Sequence, residues 1–303
     1  MPGVLKVGLH LPETERIAPW RELADICRTA EHVGFDSIWV PDHLLYRFPG
    51  EEPKGPWECW SVLSAVAAIT ERVEIGPLVL CTNFRNPGLI AKMAATVEEI
   101  SDGRLILGLG AGWHEPEYDA FGFPYAERFG RFVEAFTIIR TLLRERQIDF
   151  CGRYYTLRDC EIRPFGPRPA GPPLMIGSRG PQMLATTLPH VEMWNGWYAW
   201  SGNTTAGYAA LHAEIDAAVE KAGRNPSEIE RTMAILLRFP EEDGPVDPRA
   251  TLIQGDVEVM AEAVLALGRA GVGHVQIVLE PCTPAAVERF GRALELIRAG
   301  WDR

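Results

Sequence analysis

At 303 residues, 47% hydrophobic and 23% charged, the chain can bury a large core, either as one barrel or as two smaller domains. A formal net charge of −11 argues against a nucleic-acid or anionic-membrane surface, since both need clustered Lys and Arg, but it leaves room for a local basic pocket holding one phosphate. The first residues run straight into a strand pattern with no basic and apolar leader, and no apolar run is long enough to span a bilayer, so a cytoplasmic protein is expected.

Residues 4–11 read as a buried strand ended by Pro12. In 20–33 the residues Leu23, Ile26, Cys27, Ala30 and Val33 recur at helical spacing, and Gly34 stops the helix. A second strand, 37–40, runs into Pro41-Asp42-His43. After a Pro- and Gly-rich loop at 44–56 come a helix at 57–70, a strand at 73–81 and a helix at 87–100 with Leu89, Met93, Val97 and Ile100 on its apolar face. Ser101-Asp102-Gly103-Arg104 is a stop and turn signal.

The next stretch is the most informative. An apolar strand from Leu105 breaks into Gly110-Ala111-Gly112 and then into Trp113-His114-Glu115. A continuous apolar run suits a strand buried on both faces of a parallel sheet. The glycines permit close backbone contact with a flat ligand, and the polar and aromatic groups mark the strand end where barrels of this kind place their sites.

Residues 113–127 read as a loop, and 128–143 as an amphipathic helix lined by Phe129, Phe132, Phe136, Ile139 and Leu143. The rhythm breaks at 144–173, with a hairpin around 148–157 and a Pro- and Gly-rich segment at 164–173, and it resumes at once, which marks an insertion and not a linker. Four more strands follow at 174–177, 191–195, 231–239 and 274–279, interleaved with helices that end near 188, 222, 267 and 299. Eight strands alternating with helices predict a single (β/α)8 TIM barrel over residues 1–303 with an insertion around 144–173. An open doubly wound sheet is the structural alternative, and the lack of a Gly-rich dinucleotide loop after the first strand counts against it.

Three constellations carry possible chemistry. Asp42-His43 ends the second strand, where an imidazole with an ordinary pKa of about 6.5 would exchange protons with a bound substrate. Gly177-Ser178-Arg179-Gly180 joins a strand to a helix and offers backbone N–H groups, a hydroxyl and a guanidinium to a phosphate. Trp113, His114 and Glu115 line the mouth after the fourth strand. No zinc motif, paired-cysteine motif or nucleophile elbow is present, so no metal is expected. The carboxylates of Glu58, Glu115 and Glu280 stay open as glycosidase-type candidates, because barrel acids come from distant strands. The six cysteines are scattered without C-x-x-C spacing; reduced thiols are expected, with no disulfide between Cys151 and Cys160 although they flank the hairpin.

Asn83-Phe84-Arg85-Asn86-Pro87, the helix around Ala91-Lys92-Met93, the run from Ser101 to Trp113, and the stretch from Gly34 to His43 together resemble the luciferase-like monooxygenase family over nearly the whole chain. The resemblance implies a (β/α)8 barrel, commonly dimeric, that holds a flavin or the deazaflavin coenzyme F-420 at the C-terminal ends of its strands. It implies that His43 is the acid/base, that Asp42 contacts the cofactor, and that a non-proline cis peptide at Leu78-Val79 presses on the ring. Gly110, Ala111 and Gly112 would lie against the ring, and Gly177, Ser178, Arg179 and Gly180 would hold the phosphate. Trp60, Trp113 and Glu115 are expected on the substrate side.

One departure bears on the substrate. Some deazaflavin dehydrogenases carry Glu directly after the G-x-G, where this chain has Trp113, so a second acid is either missing or supplied by Glu115. The leading expectation is hydride transfer between coenzyme F-420 and a small organic substrate. The alternatives are an FMN-dependent monooxygenase using reduced flavin and O2, and a non-catalytic flavin-binding module.

Overall fold

The computed structural model describes residues 4–242 and 251–301. Along the chain run β1 (Lys6–His10), α1 (Trp20–Val33), β2 (Ser37–Val40), α2 (Cys59–Ile69), β3 (Glu74–Pro77), β4 (Leu80–Cys81), α3 (Pro87–Ile100) and β5 (Leu107–Gly110). Then come α4 (Glu115–Phe121), α5 (Arg128–Glu145), β6 (Gln147–Cys151), β7 (Thr156–Glu161), β8 (Leu174–Ile176) and α6 (Pro181–Thr187). The last elements are β9 (Met193–Gly196), α7 (Thr205–Lys221), β10 (Glu230–Arg238), β11 (Ile253–Gln254), α8 (Val257–Arg269), β12 (His274–Leu279) and α9 (Pro284–Trp301). Two compact units result, one from residues 1–39 with 177–303 and one from 40–176.

In the first unit β2, β1, β12, β10 and β9 lie side by side in that order, all parallel, with β11 added to the end of β10. Side chains alternate between the two faces of such a sheet. Val7, Leu9, Ile38, Val275, Ile277, Met233 and Ile235 form one face and are all buried. The other face is unusually polar: Ser37, His274, Gln276, Thr232 and Asn195 are buried there too. Thr232 Oγ1 donates to Asn195 Oδ1 at 2.7 Å. The Ser37 hydroxyl accepts from Trp39 Nε1 at 2.7 Å and stands 2.7 Å from His274 Nε2. Gly8 makes room for this group, because a Cβ there would meet Ser37 Oγ at 2.1 Å.

In the second unit β8, β5 and β4 are parallel neighbours, and Ile75 of β3 makes a parallel bridge with Leu105, just before β5. The strand expected over 73–81 is two short pieces, interrupted at a cis peptide between Leu78 and Val79. Helix α3 starts at Asn86, whose side chain accepts from the backbone N–H of Gly88 and Leu89, with Pro87 in the first turn. Its buried face is Ile90, Ala91, Ala94, Ala95 and Val97, whereas Leu89 and Ile100 are exposed. The apolar stripe expected through Leu89 and Ile100 is therefore turned away from solvent only in part. Small residues set the contact face, since alanines let α3 lie close against α2 and α5.

Arg104 secures this unit's turns. Its guanidinium donates to the carbonyls of Ala67 and Thr70 at the end of α2, to Val73 before β3 and to Ser101 after α3, at 2.7–2.9 Å. Helix ends leave just such carbonyls without partners. The insertion is the antiparallel hairpin β6–β7 followed by an extended segment. Arg168 on that segment pairs with the buried carboxylate of Glu98 on α3. Cys151 and Cys160 are free thiols, and so are the other four cysteines.

His274 makes one property of the fold measurable. Burial, helped by the charge of Lys6, pushes its imidazole down to about 3, so the native state keeps it neutral. The unfolded chain would protonate it near its ordinary value of about 6.5. The native state thus binds fewer protons below that pH, and stability is full above it and falls as pH drops toward the folded value. Urea unfolding of the wild type at pH 7.5, 6 and 5 is expected to show this loss, with a slope of up to about 1.4 kcal/mol per pH unit from this residue. His274→Asn should flatten that slope; equal slopes in the two proteins would remove His274 as the cause.

Candidate active site

Four segments of the second unit converge on one cluster: residues 41–43 after β2, the 78–81 stretch, the end of β5 and the start of α4. Asp42 ties the first two together. Its carboxylate is almost fully buried; Oδ2 accepts the Cys81 N–H at 2.8 Å, and both oxygens accept from Arg85 at 2.8 and 2.9 Å. Burial alone would lower the Arg85 guanidinium, but the Asp42 charge holds it well above its usual range. Arg85 continues to Glu58, which caps α2 by accepting from the backbone N–H of Trp60 and Ser61. Burial works to raise Glu58, but hydrogen bonds from Ser61 and Arg85 prevail and hold it low.

His43 follows Asp42 and is half-buried. Its Nδ1 lies 2.9 Å from Oε1 of Glu117, whose side chain is fully buried. The other Glu117 oxygen accepts the Leu44 N–H at 2.9 Å. Glu117 stands in the first turn of α4, where the positive end of the helix dipole favours a carboxylate. A carboxylate acceptor thus stands at Nδ1, which fixes how the ring is held.

The third segment is closed by α4 as well. Tyr118 donates to the Ala111 carbonyl and its oxygen is 3.0 Å from Cys81 Sγ, while Asn83 Nδ2 also donates to Ala111 O at 3.0 Å. The glycines of β5 serve these contacts. A Cβ at Gly108 would meet the Pro77 carbonyl at 2.3 Å, and one at Gly110 would meet Val79 Cγ2 at 2.9 Å. Gly112 has φ +70 and a Cβ there would strike Tyr118. The close approach that glycine permits at these positions is taken by the chain's own Pro77, Val79 and Tyr118. Burial pushes the Cys81 thiol up, so it is not a thiolate nucleophile.

Of the expected substrate-side residues, Trp113 is half exposed and its ring is 5.8 Å from that of His43. Trp60 is buried in the first turn of α2. Glu115 is exposed in the first turn of α4, and the acid against the imidazole is Glu117, two residues further on. Residues 113–127, expected as a loop, thus contain the helix that carries this acid. Pro116, close behind the strand end, is the helix-start signal that would have revealed it.

The predicted phosphate turn lies in the first unit. Ser178 Oγ accepts the Gly180 N–H at 3.2 Å, the Ser178 carbonyl accepts from Trp194 Nε1 at 2.7 Å, and Gly180 precedes α6. Arg179 makes an exposed ion pair with Glu214 at 3.2 Å. Among the described residues no group of three or more His, Cys, Asp or Glu is placed to hold a metal ion. No described helix is long and apolar enough to cross a membrane.

A family model described as luciferase-like monooxygenase matches residues 3–242. The chain belongs to this family. It is 35% identical over 251 residues to the F420-dependent glucose-6-phosphate dehydrogenase of Amycolatopsis mediterranei (strain U-32), covering 78% of this chain and 70% of that one. It is 33% identical over 174 residues to the pyrimidine monooxygenase RutA of Cronobacter turicensis (strain DSM 18703 / CCUG 55852 / LMG 23827 / z3032), covering 55% of this chain and 45% of the relative. A solved F420-dependent secondary alcohol dehydrogenase, in complex with an F420-acetone adduct, superposes with a TM-score of 0.79 at 20% identity, covering 98% of this chain and all of that one. The fold of this luciferase-like protein is accordingly the (β/α)8 barrel with insertions, and the protein is an oxidoreductase of the flavin- or deazaflavin-dependent kind.

The Asp42–Arg85 pair yields a stability test. Replacing Arg85 with Met would leave the buried Asp42 carboxylate without its partner, and breaking such a pair costs about 3–5 kcal/mol. Glu58→Gln removes the more exposed end of the network and should cost less than about 1 kcal/mol. Urea unfolding of both variants checks the order, and equal losses would contradict it.

Proposed function

We propose that this luciferase-like oxidoreductase uses coenzyme F-420 and moves a hydride between it and an organic substrate, with His43 transferring the accompanying proton. The observation that carries this reading is the His43–Glu117 pair: a half-buried imidazole held at Nδ1, 2.9 Å from a carboxylate that no solvent reaches. A buried carboxylate spent on one imidazole fixes its ring and tautomer, as general acid/base chemistry requires. The names of the relatives support the deazaflavin, since a dehydrogenase sharing 35% of its residues over most of this chain is F420-dependent.

The cofactor, when bound, supplies or accepts the hydride. Each unit, taken by itself, offers residues that fit a part of it. Val79, Ala111 and Gly112 are uncharged and partly exposed, and the 78–81 segment is tied to Asp42 through the Cys81 N–H, which suits a flat ring. The 177–180 turn has a hydroxyl, a guanidinium in a weak exposed ion pair, and backbone N–H groups, which suit a phosphate. Asp42 has both oxygens engaged by Arg85 and Cys81, so its part is to place His43 and the 78–81 segment. His43 Nε2 gives a proton to the substrate oxygen, or takes one from it, and Glu117 keeps that nitrogen aimed.

A second reading, an FMN-dependent monooxygenase using reduced flavin and O2, is favoured by the likeness to RutA over 174 residues. Titrating the purified protein with each cofactor separates the two, and tight FMN binding with none for the deazaflavin would reverse the order. In the deazaflavin assay His43→Gln should lower kcat by roughly 10²–10⁴-fold while leaving cofactor affinity unchanged. Glu117→Gln should lower kcat less, also without loss of cofactor affinity. An unchanged kcat in His43→Gln would remove the imidazole from the chemistry.

A further inference from the structure

We infer that the substrate is a flat, uncharged aromatic molecule that stacks on a preformed wall of rings beside His43; this rests on the reading of His43 as the proton-transferring group.

The wall is built from five rings. His43 and Tyr46 lie 4.3 Å apart at a tilt of 31°, and Tyr46 stacks with Phe48 at 5.9 Å and 21°. Trp113 stands 5.8 Å from His43 and 5.1 Å from His114, and His114 is 5.1 Å from Phe48. Burial divides the rings into two sets. Tyr46 and His114 are buried behind, at 7% and 4% exposure, while Trp113 and Phe48 keep 51% and 39% of their surface open. Exposed aromatic faces held together by buried ones, and reaching an imidazole, present an apolar platform with a proton donor at its edge.

The protein's own hydrogen bonds hold the wall. Tyr46 and Lys54 exchange backbone hydrogen bonds, which folds the loop after His43 back on itself. The Arg47 N–H donates to His114 Nε2 at 3.0 Å, and the Trp113 carbonyl accepts from Tyr125 at 3.1 Å. Rings fixed in this way lose little entropy on binding.

The rings of the wall carry no permanent charge, although exposed Arg47 lies between Tyr46 and Phe48 in the chain and exposed Glu115 follows His114. His114 is held below its ordinary range, chiefly by burial and also by the neighbouring His43, and its Nε2 already acts as an acceptor. The charged side chains packed behind His43 are paired within the protein: Asp42 with Arg85, Arg85 with Glu58, and Glu117 with the imidazole and the Leu44 N–H. A sugar phosphate needs several converging polar partners, and a π-face needs a ring. The residue at 113, directly after the G-x-G, gives a ring.

Paired probes test this. With reduced deazaflavin, 2-naphthaldehyde takes a hydride at its carbonyl carbon and a proton at its oxygen, giving 2-naphthylmethanol and the oxidised cofactor; cyclohexanecarbaldehyde is the non-aromatic control. Glucose 6-phosphate is run in the opposite direction with the oxidised cofactor, losing a hydride and a proton to give the lactone. Binding of 2-naphthylmethanol and cyclohexylmethanol to the cofactor-free protein is measured separately by calorimetry.

The expected result is at least about tenfold preference for the naphthyl probe in both binding and kcat/KM. Trp113→Ala should erase most of it through KM with kcat held, Trp113→Phe should keep most of it, and Phe48→Ala should weaken it. Tighter binding or faster turnover of glucose 6-phosphate would overturn the inference, and so would naphthyl affinity indifferent to Trp113→Ala. Naphthyl binding that depends on Trp113 without any deazaflavin turnover would leave the wall standing and sink the assigned reaction.

Discussion

One buried carboxylate organises the site-bearing unit. Asp42 is 3% exposed, and a lone charge at that depth would cost several kcal/mol. Its two oxygens are met by a bidentate guanidinium and a backbone N–H. The guanidinium must then be there, and Arg85 brings the residues before α3 with it. Arg85 has charge to spare for Glu58, which sets the first turn of α2. The start of α2, the end of β4 and the residues after β2 are thereby fixed to one another before any ligand is considered. His43, next in the chain, inherits that rigidity.

A second carboxylate does a different job a few residues away. Asp42 is matched by a permanent cation, so its charge is spent on architecture. Glu117 is equally buried but is matched by an imidazole, which is not a permanent cation. Environment separates the two roles: a guanidinium locks one acid, and a titratable ring gives the other something to modulate. The tight packing beneath them explains the glycines at 108, 110 and 112. Side chains there would strike Pro77, Val79 and Tyr118, so the glycine-rich strand end is first a packing requirement of the polypeptide.

The alternation of strands and helices was legible because buried parallel strands and amphipathic helices carry distinct periods, and the ends of α1, β2 and β12 fall where the sequence reading puts them. The face of α3 was misjudged because pattern reading weights Leu89 and Ile100 by hydrophobicity, whereas close packing selected the alanines. Helix α4 is only seven residues long, too short for a periodic signal, and it hid behind a loop-like composition. The Asp-His pair was visible as a local motif. Its partners were not: Arg85 lies 43 residues from Asp42 and Glu117 lies 74 residues from His43, and no local pattern encodes such pairings. Glu115 was singled out because it is nearest to the motif, but helical geometry gives the buried position to the residue two places on.

Position 113 holds a tryptophan, and the buried acid of this cluster stands at 117. Trp113, directly after the G-x-G, is half exposed and beside the imidazole. An acid there could touch substrate. Glu117 is completely buried and its oxygens are engaged by His43 and Leu44. On the proposed reading, this cluster then presents one proton-transferring group to substrate and one aromatic surface beside it. That arrangement suits a reaction in which a single proton accompanies the hydride. It places recognition in stacking, because Trp113 offers a π-face where an acid would offer acceptors.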